Sequence, residues 1–188
     1  MEWLQYANLH FQFVDNAENA DVKIAFNWNK NRVVWSEIGS KCIDIPQNEP
    51  STNLVLTQNI PSEINSSSFK TEVLRQFGHI LGLINEHQSP KSTIKLKEQE
   101  TIWYLTQSGW SENDAKSIIN SFYTEDQTNS TEFDPKSIML WYFPSYLIAE
   151  GKGASYNTQL SSKDKEIVQA LYPGEGGSII LPNKIDLI

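Results

Sequence analysis

His79 has the widest choice of chemistry in this sequence. A neutral imidazole can bind a metal, move a proton or simply hold a hydrogen bond. It stands in the run 71–90, where Val73, Leu74, Phe77, Ile80, Leu81 and Leu83 recur at helical spacing. Arg75 and Gln76 fall on the same helix face about one turn earlier. Gly82 predicts the helix end, since glycine accepts the left-handed backbone a sharp C-terminal turn needs. Asn85, Glu86 and His87 then follow, able to fold back towards His79. Taken singly, each has an ordinary explanation. A lone histidine on an amphipathic helix is commonly a structural hydrogen-bonding residue, and Arg75 with Gln76 reads as a solvated face.

Together the spacing resembles the zinc helix of the metzincin metallopeptidases, H-E-x-x-H-x-x-G-x-x-H. In that pattern two histidines four residues apart share one face and bind zinc. The glutamate between them is the general base, and a third histidine arrives after the glycine turn. Here Arg75, Gln76, His79, Gly82 and Asn85 stand at those positions. The segments WLQYANLHFQFVD, ADVKIAF, GLINEHQSPKSTIKL, TEFDPKSIMLW and NTQLSSKDKEIVQALYP are similar to successive blocks of the astacin-like branch, in its disulfide-free microbial form. Ser137-Ile138-Met139 matches that family's Met-turn, with Met139 in the floor beneath the metal. Trp141 stands where the family commonly has a tyrosine, with Tyr142 beside it, and Glu86 is the family's own letter.

The resemblance implies an α+β, zincin-like fold. A mixed twisted sheet and the active-site helix would form an upper half, and the Met-turn and C-terminal helix a lower half. It also implies that the chemistry has changed. An intact site holds zinc through three imidazoles and lets the glutamate take a proton from metal-bound water. Gln76 can hydrogen-bond that water but cannot accept its proton. Asn85 offers an amide oxygen, a poor zinc ligand beside imidazole. Arg75 places a fixed cation where a ligand should stand. At about 4 Å and an effective dielectric near 20, a unit charge and a dication repel by roughly 8 kcal/mol. No metal is therefore expected, and the vestigial cleft comprises Arg75, Gln76, His79, Asn85, Glu86, His87, Met139, Trp141 and Tyr142. The guanidinium is expected to pair with Glu86 or to lie against Trp141. The function expected is an inactive metallopeptidase homologue that binds a protein or peptide, along an edge formed by 33–45 and 51–56. One alternative is a zinc endopeptidase with a rearranged site of His79, His87 and Glu86. Another is a structural or decaying domain.

Several elements must position these residues. Residues 2–8 read as the last turns of a helix. Strands are expected at 10–14, 21–26, 33–38, 40–45 and 53–57. Ser66–Ser68 supply caps for the central helix. Helices are expected at 95–107, from Ser111 to about Tyr123, and at 161–171 after a Ser-Ser-Lys-Asp start. The family's first strand has no counterpart at the N-terminus, whereas the tail after Gly177, SIILPNKIDLI, is strand-like. The expected organisation is a domain over 1–175 and a strand-like tail, 176–188, that either completes the sheet in the manner of a circular permutation or is an ordinary extension towards a further domain.

Composition sets the outer bounds. A net charge of −8 without a Lys/Arg cluster gives no footprint for nucleic acid. No run approaches the ~18 apolar residues of a membrane helix, so no membrane is expected as a partner. Cys42 is the single cysteine, so no internal disulfide forms. No secretory signal is visible at the start, which leaves secretion without disulfides and a cytoplasmic location both open.

Overall fold

The computed structural model describes residues 2–30, 32–56, 64–129, 131–150 and 153–180, and the chain is mixed α+β. Its centre is helix α2, Ser67–Ile80, opened by Ser66, whose side chain accepts from the backbone N–H of Phe69 at 3.1 Å. Gly82 closes it at φ +96°, and the turn is held by Gly82 N–H to His79 O at 2.8 Å and Leu83 N–H to Gly78 O at 2.9 Å.

Helix α2 packs on residues distant in sequence. Trp3, in a 3-10 turn spanning Glu2–Gln5, is fully buried and donates its indole N–H to Leu74 O at 2.8 Å. Trp3, Phe77, Ile80, Ile138, Met139 and Val168 share one apolar cluster. Gly78 allows this approach, because a Cβ there would fall inside van der Waals distance of Met139 Sδ and about as close as 3.1 Å to Trp3. The 137–139 segment is held from the other side by helix α5, Ser162–Leu171. Asp164, buried in that helix's capping box with Ser161, accepts from Ser137 Oγ at 2.7 Å and Ile138 N–H at 2.8 Å.

Three strands form one mixed sheet: β2 (Ile24–Phe26), β3 (Trp35–Ser36) and β4 (Thr52–Leu54). The order is β2-β4-β3, with β4 parallel to β2 and antiparallel to β3. Two expectations change here. The 51–56 run is no edge: β4 is the interior strand, and each of its residues is buried. Residues 40–45 are no strand either, since Lys41–Asp44 form one helical turn, α1. Gly39 at φ +56° redirects the chain, its N–H donates to His79 O, and Cys42 N–H closes back on Gly39 O.

Strand β5, Ser178–Ile180, pairs in parallel with β1, His10–Gln12, as a separate two-stranded sheet. The described part of the tail thus pairs with the N-terminal segment in a sheet of its own and does not join the three-stranded sheet; 181–188 lie outside the described residues. The α3 (Glu98–Gln107) and α4 (Glu112–Asn120) pair buries Ile102, Leu105, Ala115 and Ile119. Ser111 caps α4 through Asp114 N–H, but the helix stops at Asn120, short of Tyr123. Among the described residues no helix is long and apolar enough to cross a membrane.

Candidate functional site

The polar face of α2 is not solvated. Arg75, Gln76 and His79 keep only 6%, 4% and 6% of their surface, because the 137–141 segment and the 85–88 turn close over them. Arg75 donates from Nε to Ile138 O at 3.0 Å and from Nη1 to Glu72 Oε1 at 2.7 Å. The expected partners are therefore corrected. Glu86 is engaged elsewhere, its Oε1 accepting from Asp134 N–H at 2.7 Å while its own N–H donates to Met139 O at 3.1 Å. Burial raises the Glu86 pKa above the ordinary value, the Asp134 N–H opposes this, and the nearby Asp134 and Asp164 charges add to the rise. Trp141 takes its ring contacts from His87, Trp110 and Phe143.

His79 is buried and neutral. Its Nδ1 lies 2.8 Å from Leu83 O; a carbonyl only accepts, so Nδ1 carries the proton and Nε2 the lone pair. Burial pushes its pKa down to about 4, helped by the Arg75 charge and opposed by the Leu83 carbonyl and the Asn85 side chain. His87 is more enclosed still, with 2% of its surface exposed. Its ring stands 5.3 Å from Trp141 and 5.1 Å from Phe143, and neither ring nitrogen has a hydrogen-bond partner. Burial, then the neighbouring His79 and Arg75, push its pKa down to about 3. Gln76 Oε1, Asn85 Oδ1 and Arg75 Nη2 are also buried without partners, while Asn85 Nδ2 donates to Gln88 Oε1.

Arg75, Gln76, His79 and Asn85 line the floor of a cleft of about 400 Å³. Its walls are aromatic: Trp35, Tyr104, Trp110, Trp141, Tyr142 and Tyr156. Tyr142 and Tyr156 meet edge to face at 6.4 Å and remain half-exposed. Burial, together with Tyr146 and Tyr142 nearby, raises the Tyr104 pKa. Of the residues singled out in the sequence, Arg75, Gln76, His79, Asn85, Trp141 and Tyr142 line the cleft. Met139 lies in the core beneath it, and Glu86 and His87 are set behind its wall. Sequence reasoning missed Glu72, though its i,i+3 spacing to Arg75 is a recognisable ion-pair signal. It also missed Trp35, Tyr104, Trp110 and Tyr156, which converge on the cleft only in three dimensions.

The fold has solved counterparts. Aligned with a structure of myroilysin, a metallopeptidase, the chain gives a TM-score of 0.78 and 29% identity over 93% of its own length and 82% of the other. A crystal structure of myroilysin aligns at 0.64 and 27% identity, covering 92% and 74%. These neighbours support a metallopeptidase fold. No protein-family model matches the sequence, and no curated protein matches it.

The side chains do not fit a metal of the kind such a fold implies. Among the described residues no three His, Cys, Asp or Glu side chains come together to hold an ion. The residues at the positions in question are a guanidinium, an imidazole and an amide. The cleft can instead offer the His79 lone pair, side-chain amides and a fixed cation.

Proposed function

We propose that this chain is an astacin-like metzincin homologue that has given up zinc-dependent hydrolysis and binds an extended peptide in its cleft. One observation carries the reading. Arg75, at the helix position the metzincin pattern gives to the first ligand, is buried and fastened to Ile138 O and Glu72. A side chain so held cannot swing aside to admit a dication without breaking a partly buried ion pair and its bond to the Ile138 carbonyl. Gln76 cannot act as base, and Glu86, the carboxylate next along, is turned to the Asp134 N–H. That last contact disfavours the alternative site of His79, His87 and Glu86.

Peptide binding draws on strand β3. It is the edge of its sheet and borders the cleft through Trp35 and Ser36. An extended segment can add to such an edge by main-chain hydrogen bonds that need no metal. The deciding experiment is metal analysis of protein purified without chelator, run beside a casein-cleavage assay. Zinc well below one equivalent and no chelator-sensitive cleavage are expected. One equivalent of zinc with chelator-sensitive cleavage overturns the reading.

A further inference from the structure

We propose that the cleft prefers a peptide that ends in a free carboxylate next to aromatic or proline residues; the proposal rests on the peptide-binding reading above. The walls set the side-chain class. Trp35, Trp110 and Trp141 with Tyr142 and Tyr156 give flat apolar faces on which proline and aromatic rings pack with little loss of conformational entropy.

The charges set the terminus. Glu72 is the one carboxylate among the described residues lining the cleft, and Arg75 Nη1 already engages it. Two arginines, Arg32 and Arg75, line the same space, so the lining is net positive in a chain of net charge −8. Arg32 is exposed at the rim with no ion pair among the described residues, and Arg75 Nη2 has no acceptor. Arg32 makes the direct contact, because Nη2 is closed over in the free protein and contributes through its charge. Arg32 also lies just ahead of the two-residue edge strand β3. A peptide laid along so short an edge has one end beside that guanidinium, where a terminal carboxylate can pair with it.

The test uses acetyl-Pro-Ala-Phe-Ala-Tyr with a free carboxylate and its C-terminal amide, titrated against the whole chain by tryptophan fluorescence at low ionic strength. The carboxylate form should bind about tenfold more tightly, with the margin shrinking on addition of salt. Arg32→Gln should cut the margin to about twofold, and Tyr156→Ala should weaken both forms alike. Equal affinity of the two forms, or an undiminished margin in Arg32→Gln, overturns the carboxylate preference and leaves peptide binding standing. Absence of binding by both forms overturns the preference and the peptide-binding reading together.

Discussion

Arg75 donates to the carbonyl of Ile138 at 3.0 Å across 63 residues of sequence, so a guanidinium fastens the central helix to the loop that passes beneath the cleft. Glu72 takes its second arm. The helix and the loop are thereby joined by protein atoms alone.

Replacing this link with an apolar side chain should destabilise the fold. Arg75→Met leaves the Ile138 carbonyl without its donor and Glu72 without its partner. Glu72 is 29% exposed and can recover water, which holds the loss to about 2 kcal/mol, below the range for a fully buried pair. Urea unfolding at neutral pH would measure it. An unchanged midpoint would mean that the link contributes nothing.

The two buried histidines predict an acid-sensitive fold. Their folded pKa values, about 4 for His79 and about 3 for His87, lie below the ordinary 6.5. Between those limits the unfolded chain binds more protons than the folded one, so stability rises with pH. The contribution is complete above pH 6.5 and is lost as the pH falls towards the folded values. Glu86, with its raised pKa, acts in the opposite sense: its share is present at low pH and fades as the pH rises. A pKa displaced by one pH unit corresponds to about 1.4 kcal/mol, so the histidines should dominate and remove a few kcal/mol by pH 4. Urea midpoints from pH 7 to pH 4 give the slope; a flat profile would contradict the buried neutral assignment.

His87 allows a sharper test. Its ring nitrogens lack partners, and its neighbours are the Trp141 and Phe143 rings. Phenylalanine matches that environment and leaves no polar atom unsatisfied, so His87→Phe should stabilise by about 1 kcal/mol at neutral pH. It should also remove one histidine's share of the acid slope. Destabilisation of similar size would show that a nitrogen of His87 is hydrogen-bonded in solution.

Local signals in the sequence are readable, and long-range choices are not. Ser66, Gly82, Ser111 and Ser161 end or begin helices where their chemistry predicts, because caps and left-handed turns are decided within four residues. Residues 40–45 mislead because alternation there suits a strand, whereas Gly39 reverses the chain and hydrogen-bonds to His79 O. Arg75 and Glu86 look complementary in sequence, yet the nearer Glu72 and the Asp134 N–H claim them first. The aromatic cleft is legible only at Trp141 and Tyr142, since its other walls come from separate stretches of chain.

The tail offers a fourth prediction. Strand β5 pairs in parallel with β1, in a two-stranded sheet apart from the three-stranded one. Gly177 makes the entry possible: its N–H donates to Leu4 O and Ala7 O, and a Cβ there would collide with the Leu9 carbonyl. Gly177→Ala should displace the strand, speed amide exchange across residues 10–12 and destabilise the fold by about 1–3 kcal/mol. Deleting 178–188 should do the same. Unchanged exchange and stability in both variants would reduce the tail to an appendage.

Under the proposed reading, installing the three metzincin-pattern residues tests whether the scaffold can hold zinc. In Arg75→His, Gln76→Glu, Asn85→His the fixed cation is gone, a carboxylate replaces the amide, and two imidazoles join His79. His79 already carries its proton on Nδ1, held by Leu83 O, and so presents Nε2 in the form that a metal requires. The triple variant should retain about one equivalent of zinc after dialysis, while the parent retains far less. Each partial restoration that keeps Arg75 should fail, because at close range the charge alone weakens binding by more than about tenfold. Zinc uptake by Gln76→Glu, Asn85→His with Arg75 intact would show that the guanidinium is no barrier, and the proposed cause of the loss would have to be sought in the amide positions instead.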